Sequence, residues 1–302
     1  MGLSRLGNIA LYNSTLSDIT NTQRRLATLQ EQISSGNRAD NFAGLNGQVE
    51  QFTQLEAKVR SSQQYIESNQ LNISRMKTAD QSMSQMIDIV DSMKNLIVLA
   101  SNSATGTSAN LPQVMRGYLD QLAAAMNINF DGRYLFGGSN TLQPPVPDAQ
   151  VSPVSPGLPD AGYYAGSTTS LVYSQDERIT YEFPVRGDDI AFQKIISAAH
   201  QAISGASAGS IGMLQSSLEL IQSGQEDLNT ARTRLNNTII SVSDHNDSLG
   251  ALKLYWQGVT EQVSKTDIVA ASTEVANHEA MLQAAFQVFA RLSQLRLSDF
   301  LR

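Results

Sequence analysis

The sequence predicts a mainly α protein with a small β insertion. The expected form is an elongated antiparallel helical bundle or coiled coil, with the N- and C-terminal helices paired and the β domain at the far tip. Three observations carry this. Apolar residues recur every seven positions through long stretches of both halves of the chain. Prolines and strand-forming residues crowd one central stretch. Hydrophobic residues make up 41% of the chain but aromatics only 6%, so its cores must be built mainly from Leu, Ile, Val, Ala and Met, which suits helix packing better than a sandwich.

The first segment, residues 1–44, holds an amphipathic helix from about Leu6 to Ser34. Tyr12, Ile19, Leu26 and Ile33 recur every seven residues, Leu16 and Leu29 fill the neighbouring line, and Gly36 supplies a stop. The first part of a helical rod follows over 45–130. Phe52, Val59, Ile66, Ile73 and Ile87 lie on one line and Leu55, Met76, Met83, Val90 and Ile97 on another. About 55 such residues would rise roughly 80 Å as one helix. The stretch Ser101 to Asn110 ends it, and a shorter helix carries Leu111, Met115, Tyr118 and Leu122.

Residues 131–187 read as a β-rich insertion. Prolines 144, 145, 147, 153, 156 and 159 forbid long helix, while Leu171–Tyr173 and Ile179–Phe183 have strand composition. Helix returns over 188–265, the second part of the rod. Asp188 and Asp189 cap a helix that ends in a turn over Ser204–Ser210. Beyond it Leu214, Ile221, Leu228, Leu235, Val242, Leu249, Trp256 and Val263 hold one seven-residue line without a miss. After the capping signal Ser264–Asp267, residues 266–302 form the last helix, with Ile268, Val275, Leu282 and Phe289 on one line and Ala271, Ala285 and Leu292 beside it.

Composition excludes several functions. A net charge of −7 and a pI near 5.0, with no basic cluster, argue against nucleic acid. Without cysteine there is no disulfide, thiolate catalysis or Cys-ligated zinc, and the three histidines, His200, His245 and His278, are too dispersed for a metal site, so neither metal nor cofactor is expected. No apolar run is long enough to insert in a membrane, and the N-terminus lacks a signal-peptide core. Catalytic motifs are absent, and the paired carboxylates Asp188–Asp189 and Glu226–Asp227 read as capping and solvation, so an enzyme is not expected.

The two ends read as assembly elements. An isolated pair of terminal helices covers only part of each apolar face, so these helices are expected to be marginal or disordered in the monomer and to become ordered between subunits. The expected assembly interface is Tyr12, Leu16, Ile19, Leu26 and Ile33 with Ile268, Val275, Leu282, Phe289 and Leu292. The β insertion should then be dispensable for assembly.

These residues resemble the flagellin superfamily, and within it the hook-filament junction proteins. Gln32–Arg38 is similar to the motif that closes the superfamily's first helix, and Asp131–Thr141 with Pro144–Val146 resembles the junction proteins' entry into their β domain. Tyr164–Gly166 and Gly187–Phe192 look like the rest of that domain, and Thr266–Ile268 with Ala284–Leu295 is close to the closing helix. Ala39–Leu45 departs from the Pro or paired Asp of many relatives. The resemblance implies an extracellular subunit of the bacterial flagellum, exported through the type III apparatus without a cleaved signal peptide. It also implies a homo-oligomeric ring or filament that meets the other hook-associated protein and flagellin. An export chaperone would hold Ile268, Val275, Leu282 and Phe289. A filament-forming flagellin is the alternative the residues leave open.

Overall fold

The computed structural model describes residues 2–38, 49–102, 110–147 and 156–300, with side chains except at 2–10 and 292–300. The expected boundary at residues 44 and 45 lies outside the described residues. In chain order the elements are α1 (Gly2–Ser35), α2 (Val49–Asn102), α3 (Leu111–Met126), β1 (Asn129–Phe130), β2 (Arg133–Tyr134), β3 (Val172–Ser174), β4 (Thr180–Glu182), α4 (Ile190–Ala208), α5 (Ile211–Ser264) and α6 (Ile268–Phe300). The protein is thus mainly α with a small β insertion, as its periodicity requires. Two compact units share these elements: residues 1–60 with 253–302, and residues 61–252.

The 61–252 unit has a continuous core. The α2 line Met76, Met83, Val90 and Ile97 is fully buried, and so are Ile221, Leu228 and Leu235 on the seven-residue line of α5. The other α2 line, represented by Ile73 and Ile87, flanks this core and is only partly covered. From α3 come Leu111, Met115, Leu119, Leu122 and Met126, and from α4 Phe192, Ile195 and Ile196. Ion pairs run along the edge of the helix packing. Arg232 donates to Asp80 through Nε at 2.7 Å and through an Nη at 3.2 Å, and Lys194 reaches Asp227 at 2.6 Å.

The turn expected over Ser204–Ser210 is much shorter. Helix α4 continues to Ala208 because Gly205 lets α5 approach closely, and a Cβ there would sit 2.9 Å from Cβ of Met213. The stop is Gly209, left-handed at φ 64°, after which the Ser210 amide donates back to the Gly205 carbonyl at 2.8 Å.

Residues 131–187 do not form a compact unit of their own. Asp131 and Gly132, both at positive φ, make the two-residue turn between the antiparallel strands β1 and β2, and β3 pairs with β4 in register Tyr173↔Tyr181. Most of the insertion is irregular chain laid over the helices. Phe136, Val146, Tyr163, Phe183 and Val185 are buried in the helices' own core, and the Phe136 ring meets Phe192 edge-on at 6.0 Å. Asn127, just past α3, grips Val146 from both sides: its amide donates to the Val146 carbonyl at 2.6 Å and its oxygen accepts the Val146 amide at 2.9 Å. Strand composition predicted pairing here, but carried no sign that the coil between the strands would complete a helical core.

Candidate assembly surface

The 1–60/253–302 unit is built around the packing of α1 against α6. The covered positions of α1 are Tyr12, Thr15, Ile19, Thr22, Leu26, Leu29 and Ile33, and those of α6 are Ala271, Val275, His278, Leu282, Ala285 and Phe289. Both sets step by alternating threes and fours, the spacing that keeps a seam facing its partner. The helices run antiparallel, since the Tyr12 and Phe289 rings meet at 4.9 Å while Asn37 bridges Lys265 at the opposite end.

That opposite end is a backbone clasp joining two sequence signals that were read separately. Gly36 adopts φ 71° and its amide closes α1 on the Gln32 carbonyl at 2.9 Å. Arg38 N–H then donates to the Ser264 carbonyl at 2.7 Å, and Thr266 N–H to the Gly36 carbonyl at 3.0 Å. The Gln32 side chain donates to the Arg38 carbonyl at 2.7 Å, and Asp267 caps α6 by accepting from the amides of Val269 and Ala270 at 3.0 and 3.1 Å. Gly36 is therefore both the end of one helix and a tie to the start of another, 230 residues later in the chain by number (36 to 266).

The seam is thin. Among the described residues of this unit, only Ile19, Leu29, Leu55 and Ala271 are buried apolar side chains. Of the expected interface residues, Ile19 is buried, and Tyr12, Leu26, Ile33, Val275, Leu282 and Phe289 are half-buried. Leu16 and Ile268 point away, 46% and 52% exposed, and the side chain of Leu292 lies outside the described residues. Leu11, Val269, Met281, Phe286 and Val288 are also exposed. The seven-residue lines expected to face inward largely do so, with Leu16 and Ile268 the exceptions among the described side chains.

The other candidate groups are tied up structurally. Asp189 caps α4 by accepting the Ala191 amide and pairs with Arg234 at 2.7 Å, while Asp188 takes Arg186 at 2.8 and 3.2 Å. These residues line a cleft of about 490 Å³ with Glu182, Phe183 and Asn237, in which each carboxylate of the Asp188–Asp189 pair has its own arginine. His245 Nε2 lies 2.9 Å from Asp176. No group of three or more potential metal ligands, and no helix long and apolar enough to cross a membrane, occurs among the described residues.

Helices of this length, a clasped terminal pair and a coil-rich insertion define a class of helical subunit, and residues 7–141 match the bacterial flagellin N-terminal helical region. The chain is homologous to flagellar hook-associated protein 3 of Salmonella typhimurium, with 26% identity over 198 residues, 65% of this chain and 59% of the relative. The protein of the same name from Escherichia coli K12 is 25% identical over the same shares. The chain thus spans about three-fifths of the length of these curated relatives. The crystal structure of Bacillus cereus FlgL has the same fold, with a TM-score of 0.53 over 68% of this chain and 96% of that one at 15% identity.

Proposed function

We infer that the chain is a structural subunit of the bacterial flagellum, a junction or adaptor that links hook to filament through packing of its terminal helices. The observation that carries this is the thin α1/α6 seam flanked by exposed Leu11, Leu16, Ile268, Met281, Phe286 and Val288, a surface suited to burial by neighbouring subunits. Homology to proteins named hook-associated supports the place in the flagellum.

In this reading the role is mechanical and not enzymatic. The covered positions Tyr12, Ile19, Leu26, Ile33, Val275, Leu282 and Phe289 hold the terminal pair together, and Leu16, Ile268 and Leu292 belong to the surface offered to neighbours. Residues 1–44 and 266–302 are the assembly segments, 45–130 and 188–265 the two parts of the rod, and 131–187 the insertion. The subunits form a homo-oligomeric ring or filament contacting the other hook-associated protein on one side and flagellin on the other, outside the cell. Export runs through the type III apparatus. A chaperone that holds Ile268, Val275, Leu282 and Phe289 must do so before α6 pairs with α1, because three of the four face α1 in the folded subunit.

Immunogold labelling of intact cells tests the placement. Label confined to a short zone beside the hook is expected. Label along the whole filament would reassign the chain as a filament-forming flagellin.

A further inference from the structure

The α2 line that reads Leu55, Met76, Met83, Val90 and Ile97 is interrupted by Asn69, which is fully buried. Two cross-helix ties, Asp80 to Arg232 and Asp91 to Gln225, set α2 and α5 antiparallel and bring Asn69 level with Asn246, also buried. This polar layer in the seam is filled by neither helix. Instead the tip of the β3–β4 hairpin enters it: the Gln175 carbonyl accepts from Asn69 Nδ2 at 2.9 Å, and Gln175 Nε2 donates to the Ser241 carbonyl at 3.3 Å.

The fit is incomplete in one respect. Asn69 Oδ1, Asn246 Oδ1 and Arg75 Nε are buried without a protein partner, and the Tyr181 hydroxyl has no aligned one although Asn72 lies beside it. His245 Nε2 lies 2.9 Å from Asp176, also without hydrogen-bond alignment. Only one other buried side-chain atom among the described residues, His278 Nδ1 in the other unit, is in that condition. Polar atoms left in this state favour any conformation that gives them water. Apolar attachment of the tip is slight, since Val172 and Ile179 are about half exposed and only the tilted ring pair of Tyr173 and Tyr181, 5.7 Å apart, adds partly covered surface. The base is firm: Phe183 is buried and its amide donates to the Leu171 carbonyl at 2.8 Å.

We propose that the β3–β4 hairpin is a latch over the α2–α5 seam, which opens outward from its Leu171–Phe183 base, its own strand bonds parting as the tip leaves the helices because a two-stranded hairpin is marginal alone, and wets the polar layer while the helices stay packed. The hydrogen bond from Asn69 and the bond to Ser241 are its catches, beside the contact of Asp176 with His245. An apolar residue at either helix position would make a tighter seam and no latch.

Amide hydrogen exchange on the full-length monomer tests this. The amides of Tyr173, Gln175 and Tyr181 should exchange by local opening, about tenfold or more faster than those of α2 between residues 76 and 97. Asn69→Ala, a change in a helix remote in sequence, should speed the hairpin amides a further several-fold and leave the helix amides unmoved. If that variant folds poorly, Gln175→Met keeps the volume, removes the Ser241 catch and should give the same local acceleration. Hairpin amides that exchange only with the helices, or variants that accelerate the whole unit alike or leave the hairpin unchanged, would overturn the proposal.

Discussion

Replacing Gly36 by Ala isolates the contribution of the clasp. At φ 71° the backbone of Gly36 lies in the left-handed region, and a Cβ built there meets nothing within 4 Å, so steric crowding contributes nothing and the whole cost is conformational. That cost is about 1–2 kcal/mol for an L-residue with a side chain. It corresponds to roughly a 5- to 30-fold rise in opening of whatever the clasp holds closed. The unit it falls on has few buried apolar side chains in reserve, so the effect should be local and large: the amides of Arg38 and Thr266, bonded to Ser264 and Gly36 carbonyls, should lose protection by about that factor, and assembly should weaken. Two controls separate strain from other causes. Gly36→Asn, which tolerates the left-handed region, should recover most of the loss. Gly209→Ala carries the same strain at φ 64° with the same open surroundings, but should act on the thermal midpoint of the 61–252 unit and leave the clasp amides alone. Undisturbed clasp amides in Gly36→Ala, or an Asn variant as damaged as the Ala variant, would refute the reasoning.

Three more outcomes are open to measurement. Replacing residues 142–186 with a short Gly-Ser link should lower the thermal midpoint and raise binding of a hydrophobic dye, because Val146, Tyr163, Phe183 and Val185 leave the core that covers Phe136 and Phe192; an unchanged midpoint would show that these side chains add nothing to the stability of that core. The Arg232 hydrogen bond holds the Asp80 carboxyl below the usual range, against partial burial and with help from Asn236, so the stability it supplies is complete above about pH 4 and is lost as the pH falls from there through the lowered folded value. Asp80→Asn should therefore flatten the acid limb of the midpoint-against-pH curve, and an unaltered limb would remove Asp80 from the acid response. Deleting residues 268–302 should leave a soluble, largely helical protein by circular dichroism that no longer joins flagella, and retained assembly would contradict the role given to α6.

The helices were legible because a seven-residue repeat is a local property. From Leu214 to Val263 each step of the α5 line could be counted, and six of its eight members are buried, Leu214 through Leu249. Caps were legible for the same reason: Asp189 and Asp267 both accept amides two residues on. The features that sequence did not give are nonlocal. Asp80 and Arg232 are separated by 152 positions, and nothing in either neighbourhood marks the other. Gly205 looked like part of a loop because small residues surround it, whereas its smallness serves the approach of α5 to an unbroken helix. Likewise the two apolar lines of α2 are equally regular, and only the third dimension decides that Met76 and Met83 are enclosed while Ile73 and Ile87 flank them.

The contrast between the two units bears on the export, holding and assembly proposed for the chain. Where the 61–252 unit buries many Met, Leu, Ile and Phe side chains, the α1/α6 seam has Thr15, Thr22, Ala271, His278 and Ala285, each returning less on burial than a large aliphatic side chain. The large apolar groups Leu11, Leu16, Met281, Phe286 and Val288 stand outside the seam instead. Such a pair gains little from closing on itself and more from being enclosed by neighbours, at about 25 cal/mol for each Å² of apolar surface covered. The same weakness lets α6 part from α1, which any partner gripping Val275, Leu282 and Phe289 requires. A seam rebuilt with large aliphatics at Thr15, Thr22 and Ala285 would stabilise the isolated subunit and hinder the change of partner proposed for the terminal helices.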